Sequence, residues 1–382
     1  MSFLSGILPF FADLPTPQMS SEFWFACTAL LFRDANAGAY AGRTMELSME
    51  LPYVVASIPK GHQFTSVVDG HNPLEFETKY SIFAIAVPNG SLADLKIVEG
   101  VNEKGLTFSV LAYAGASGPA DNAAKTKAML AAIDLGAWVL GQFETANEIK
   151  EKLTDETVIL TSLAPLHGAK TPFHFVVHDR SGSSIVIEFS SEKQNVYDNP
   201  VGVMTNGPEF TWHLTNLNNY TFLTNLDQST GKFGELEVAQ PDSGIATAGL
   251  PASNTSVGRF VRAAYYSTFA EKAEPDKAIR ALAHIMNNFD RPRGLTIDPA
   301  QSGGLNIEGN STPNQQEYKT EYTSWTVLAD LNKNEFYVRT YSGLNFVKFD
   351  LERLFSVAAI KVASLETISS MNIPDATDIL LK

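Results

Sequence analysis

The chain has 382 residues, of which 44% are hydrophobic and 18% charged, and a formal net charge of −14 at pH 7. Such a composition supports a sizeable core, and the acidity argues against nucleic acid or an anionic membrane surface as a partner. A single cysteine excludes an internal disulfide, so stability does not depend on an oxidising compartment, and no apolar run approaches the roughly 20 residues of a membrane-spanning helix.

Residues 1–26 contain an apolar stretch around Phe3, Leu4, Ile7, Leu8, Phe10 and Phe11. No Lys or Arg precedes Arg33, while Asp13, Glu22, Pro9, Pro15 and Pro17 interrupt the segment. Trp24 stands where signal peptidase wants a small residue. The segment therefore reads as a propeptide or atypical leader that is removed. The expected location is cytoplasmic, with the periplasm as the alternative.

Short apolar, β-branched or aromatic runs at 28–33, 53–57, 81–87 and 106–113 predict strands. Residues 123–143 carry Met129, Leu130, Ile133, Ala137 and Leu140 at three- and four-residue steps, which predicts a helix, followed by another at 146–153. The runs 173–178 and 184–189 flank Asp179, Arg180, Ser181 and Gly182, a hairpin signal. Two further helices are predicted at 257–271 and 275–289, and a second hairpin pairs 324–331 with 335–341 around Asn332, Lys333 and Asn334. Residues 302–317 read as a flexible polar loop. Hairpins grouped around helix pairs argue for α+β layers in one domain covering 27–382, not a βαβ repeat.

Cys27 is the residue on which function turns. If the Ala26–Cys27 bond is cut, an α-amine is freed beside the sulfur, and nucleophile and base lie on one residue. An α-amine titrates at about 8 and a thiol at about 8.5, so proton transfer between them is nearly isoenergetic. A nearby guanidinium would favour the thiolate and disfavour the ammonium. Position alone favours an ordinary buried core cysteine, so other residues must decide.

Those residues are Cys27-Thr28, Gly42-Arg43-Thr44-Met45-Glu46, Asn102-Glu103-Lys104-Gly105-Leu106, Thr205-Asn206-Gly207-Pro208, Trp212-His213-Leu214-Thr215-Asn216-Leu217-Asn218, Gly249-Leu250-Pro251 with Arg259-Phe260, and Tyr322-Thr323-Ser324-Trp325. In this order and spacing, from Cys27 to about Tyr341, the chain resembles the choloylglycine hydrolase family, which includes bile salt hydrolases and penicillin V acylases. The resemblance implies a four-layer αββα Ntn-hydrolase sandwich with two antiparallel sheets between helix layers. It also implies hydrolysis of a linear non-peptide amide through a Cys27 acyl-enzyme, with no cofactor or metal, in a homo-oligomer (dimer or tetramer).

Carried over residue by residue, Arg43, Glu46 and Arg259 match the family's charged site residues, Asn206 its oxyanion-hole amide, and Ala112 the backbone N–H that is the second oxyanion donor. Each has an ordinary alternative. Arg43 and Glu46 would make a strand ion pair, and residues three apart on a strand face opposite ways, so a bend near Met45 is expected if both face the thiol. Asn206 suits a turn. Arg259 opens a helix, an unfavourable place for a cation, which favours a function for it. Glu46 departs from the family's common Asp, and Ala112 from the Asn of bile salt hydrolases and the Tyr of penicillin V acylases. The expected substrates are small N-acyl amides: N-acyl homoserine lactones, phenoxyacetyl amides or conjugated bile acids, in that order. Two other readings stand beside this one. One is a non-catalytic ligand-binding protein of the same fold with an unprocessed N-terminus. The other is a thiol hydrolase with His213 as base, although a structural role suits that histidine better.

Overall fold

A computed structural model describes residues 25–48, 50–162, 170–297 and 320–369. Two antiparallel sheets face each other. The first has six strands in the order Val203–Met204, Phe25–Arg33 (β1), Ala39–Leu47 (β2), Tyr322–Asp330, Glu335–Thr340 and Val347–Asp350. The second has eight, in the order Lys193–Asp198, Ser184–Ser190, Phe173–His178, Thr107–Ala112, Leu95–Asn102, Ile82–Pro88, Val54–Ile58 and Lys361–Ser364. Helices α1 (Leu135–Gln142) and α2 (Ala146–Asp155) pack on the outside of the eight-stranded sheet. After a short helix, α3 (Phe210–Asn216), the helices α4 (Ser256–Phe269) and α5 (Ala278–Asn287) cover the outside of the six-stranded sheet. This is the αββα sandwich that the resemblance implied.

All nine residues of β2 are buried, because helices lie on one face and the other sheet on the other. A strand covered on both faces need not alternate apolar with polar residues. What polar groups it carries must then find partners inside, and that requirement builds the site. The strands meet in a turn where Asp34 Oδ1 accepts the N–H groups of Asn36 and Gly38, an Asx-type closure.

The predicted strands and hairpins match observed ones to within two residues, as do the helix at 146–153 and the two at 257–271 and 275–289, except that β1 starts three residues early and α5 three residues late. The helix predicted over 123–143 is the exception. Only 135–142 is α-helical, preceded by a 3-10 turn at Ala132–Asp134. Leu130–Ala131 instead pairs in parallel with Val158–Ile159, and Asn72 Nδ2 donates to the Thr126 carbonyl. Met129 and Leu130 are core residues as the pattern required, but tertiary backbone pairing took the hydrogen bonds a helix would have used. The polar loop expected at 302–317 lies outside the described residues.

Strand Leu95–Asn102 was not singled out by its pattern, because Lys96, Glu99 and Gly100 interrupt it. It pairs Glu99 with Ile85 and then Ile97 with Ala86, which leaves Val98 as the extra residue of a β-bulge.

Candidate active site

Strands β1 and β2 pair Cys27 with Met45, Ala29 with Arg43 and Ala26 with Glu46 in unbroken register. Alternation then puts Arg43 and Met45 on the face of the Cys27 thiol and Glu46 on the other. The bend near Met45 that would bring both Arg43 and Glu46 to the thiol is absent, and the irregularity lies on the neighbouring strand, between Thr323 and Trp325. Arg43 thus faces the sulfur and Glu46 does not.

On the inner face, Arg43 Nη2 lies 3.6 Å from Cys27 Sγ and donates to the Val110 carbonyl at 2.5 Å. The guanidinium lies over the Trp325 ring at 4.6 Å, and its Nε is 3.6 Å from Glu99 Oε2. The backbone N–H of Ala112 also acts on the thiol and lowers its pKa. The thiol lines a cavity whose walls are otherwise almost wholly apolar, including Met45, Tyr53, Val98, Phe108 and Phe173. Among the described residues its one lining cation, Lys96, is held by Asp134 at 2.6 Å and Asp94 at 2.7 Å.

On the outer face, Arg259 reaches down from the first turn of α4. Its Nη1 donates to the Cys27 carbonyl and to Thr28 Oγ1 (2.9 Å), its Nη2 to Asn206 Oδ1 (2.7 Å) and its Nε to the Asn254 carbonyl (3.0 Å). Asn206 Oδ1 also accepts the Cys27 N–H at 2.9 Å, and Asn206 Nδ2 donates to the Ala112 carbonyl at 2.8 Å. The Asn206 amide therefore bridges two residues expected at the site. Its backbone is pinned as well: its N–H donates to Ser256 Oγ, and its carbonyl takes His213 Nε2 at 2.9 Å. His174 Nε2 donates to the Thr205 carbonyl at 2.9 Å, with Nδ1 3.3 Å from Glu188 Oε2. Facing carbonyl oxygens, both Nε2 atoms carry the proton. His213 is stacked on Phe260 at 4.5 Å and burial depresses its pKa to about 4. It serves the Asn206 carbonyl, not the thiol.

Glu46 accepts Thr323 Oγ1 at 3.0 Å through Oε1, while Oε2 is buried without a hydrogen-bond partner. Burial pushes its carboxyl above the usual range, against the pull of Arg259 and Arg291. Burial likewise raises the Cys27 thiol, against the pull of Arg43; Glu46 raises it further, and the Ala112 N–H and Arg259 lower it. Arg259 itself is depressed to about 10 by burial, with Glu46 as its main counter-charge.

Cys27, Arg43, Ala112, Asn206 and Arg259 thus converge on one residue's sulfur and main chain, with Glu46 beside Arg259 on the opposite face. Glu99 joins the inner face and was missed. Its signal was an acid inside an apolar strand three residues before Asn102, but its direction depends on the bulge at Val98. Chemically, the site offers a buried thiol with a cation and a backbone donor in the wall of an apolar cavity.

The family model of linear amide C–N hydrolases, choloylglycine hydrolase family, matches residues 27–362. A bile salt hydrolase/transferase of Clostridium perfringens (strain 13 / Type A) is 27% identical over 330 residues, covering 86% of this chain and 93% of its own. A penicillin V acylase of Pectobacterium atrosepticum is 28% identical over 297 residues, 73% of either chain. The crystal structure of a mutant conjugated bile acid hydrolase from Clostridium perfringens is similar with a TM-score of 0.76 and 25% identity, covering 92% of this chain and 100% of that one.

Proposed function

The chain belongs to the linear amide C–N hydrolases of the choloylglycine hydrolase family, and from that premise we propose that Cys27 is its N-terminal nucleophile and that its substrate is a small N-acyl amide with an apolar acyl group. Release at Ala26–Cys27 turns the Cys27 peptide N–H into an amine. That amine takes the thiol proton, and the sulfur forms a bond to the substrate carbonyl carbon. The C–N bond then breaks, the amine product leaves with the proton from the α-ammonium, and water hydrolyses the thioester to the acid and the free thiol. Arg43 favours the thiolate. Asn206 Nδ2, which has a second hydrogen beyond the one given to Ala112, and the Ala112 N–H hold the oxyanion. Glu46 and Arg259 orient the freed amine; the unpartnered Glu46 Oε2 supports this role.

The observation that carries the reading is the meeting of Arg43 Nη2 and the Ala112 N–H at one thiol that lines an apolar cavity. The same lining favours an apolar acyl group over a charged one. N-acyl homoserine lactones, phenoxyacetyl amides and conjugated bile acids are the substrates to compare, in that order. An acyl-chain panel tests this: turnover should rise with apolar acyl length until the cavity is filled, and a preference for acetyl or succinyl amides would overturn it. Cys27→Ser should abolish or sharply reduce turnover, and unchanged activity would remove Cys27 from the mechanism.

One observation favours a second reading. Ala26 is 4% exposed and continues the β1 ladder opposite Glu46, so an uncut chain is well accommodated. A non-catalytic binding protein would stay uncut and bind N-acyl amides without turnover. Among the described residues no helix is long and apolar enough to cross a membrane. A homo-oligomer, dimer or tetramer, is supported by exposed Phe222, Leu226, Phe233 and Leu236 around the hairpin Thr230–Phe233 and Leu236–Ala239. Sedimentation of the purified protein checks it.

A further inference from the structure

Glu99 has no step in the chemistry above, yet the fold goes to some length to place it. In a regular strand Ile97 and Glu99 would share a face. The extra residue at Val98 separates them: Ile97 packs in the cluster under α1, with Phe108 and Trp138, while Glu99 turns between the sheets with Ile85 and Ser109 as its ladder neighbours. There its Oε2 lies 3.6 Å from Arg43 Nε, with the two side chains 4% and 1% exposed. Bulges recur beside active sites because they re-aim single side chains. A buried carboxylate is costly, and an apolar side chain of similar volume would fill the same space without that penalty. What Glu99 supplies is a counter-charge at Arg43 Nε, while Arg43 Nη2 meets the sulfur.

We propose that Glu99 is a positioning residue that acts through Arg43, holding its guanidinium against the Cys27 thiol and offsetting part of its charge there. The proposal rests on the reading of Cys27 as nucleophile. An unopposed guanidinium would acidify the thiol further, and a thiolate of lower pKa is a weaker nucleophile. Glu99 sets how far Arg43 goes. The groups that act on Glu99 are the Arg43 guanidinium from β2 and the Ser109 hydroxyl from Thr107–Ala112. Those that act on the thiol are Arg43, Glu46 and Arg259 with the Ala112 N–H, and Tyr53 lies within the field of both Arg43 and Cys27. In support, burial pushes the Glu99 carboxyl up to about 7 against the pull of Arg43, so its charge changes around neutrality.

Because Cys27 is the sole cysteine, its alkylation by iodoacetamide can be followed by intact mass as a function of pH, without substrate. Glu99→Gln keeps the shape and an oxygen for Arg43 Nε while removing the charge. The alkylation midpoint should move down by about one unit, or roughly tenfold more thiolate at a fixed pH below it. The acid limb of kcat/KM should move the same way. Ser109→Ala removes one hydroxyl donor from Glu99, leaves that carboxyl protonated to higher pH, and should give a smaller shift in the same direction. It decides the matter if the Gln variant does not fold. A midpoint unmoved or raised in the folded variant overturns the proposal. If Cys27→Ser retains turnover, the nucleophile reading fails whatever the midpoints do. If Cys27→Ser is inactive and the midpoints stay put, the Glu99 proposal alone fails.

Discussion

The inner face of β2 sets Arg43 and Met45 against the Cys27 thiol and an apolar cavity, whereas its outer face sets Glu46 in the field of Arg259, which in turn holds Asn206. Both faces are buried, and each holds one arginine at Cys27. The inner one reaches the sulfur; the outer one reaches the carbonyl of the same residue and the amide that binds its nitrogen. A strand covered on both sides can therefore govern the side chain and the main chain of one neighbouring residue through separate cations. Charge near the thiol tunes its acidity, while hydrogen bonds on the other face fix where its nitrogen and carbonyl lie.

Removing the outer amide should have the largest effect. Asn206→Ala deletes the donor proposed for the oxyanion and the acceptor for both Cys27 N–H and Arg259, so kcat should fall by about 10²- to 10³-fold, measured on a good substrate with KM changed much less. Arg43→Gln should break the other face in a different way. With its nearest cation gone the thiol midpoint rises, so alkylation at pH 7 slows by about tenfold or more. Arg259→Gln should leave that midpoint closer to the parent's while still lowering turnover; equal midpoint shifts for the two arginines would erase the distinction between the faces. Glu46→Asp restores the family's common residue but retracts the carboxylate by about 1.5 Å. It should change kcat/KM by only a few-fold and the midpoint hardly at all.

The smallest effect concerns stability. The folded-state pKa of Glu99 is raised from 4.5 to about 7. A raised carboxyl contributes stability that is fully present below its unfolded pKa and lost as pH rises through its folded pKa. Glu99→Gln has no such loss. The Tm difference, variant minus parent, should therefore grow between about pH 4.5 and 7 and then level off.

Much of this was legible without coordinates because strong local signals agreed with the fold. Asp179-Arg180-Ser181-Gly182 marks its hairpin, and Cys27, Arg43, Asn206 and Arg259 lie within contact of one another in the fold. The stretch 123–134 was misread because periodic apolar residues do not reveal whether backbone groups bond within a helix or to a distant segment such as Val158–Ile159. For Glu46 to face the thiol together with Arg43 a bend near Met45 was needed, and the register along β1 and β2 is unbroken. Glu99 was invisible for the opposite reason: one unpaired residue at Val98 reverses the alternation on which its direction would be inferred.

The most direct test of the central claim is to mix the purified protein with an N-acyl amide substrate, quench in acid within the first turnover, and determine the mass of the cysteine-bearing peptide. The account predicts a chain that starts at Cys27 with the acyl group carried on that residue. An uncut chain that turns the amide over with Cys27 unmodified would contradict it.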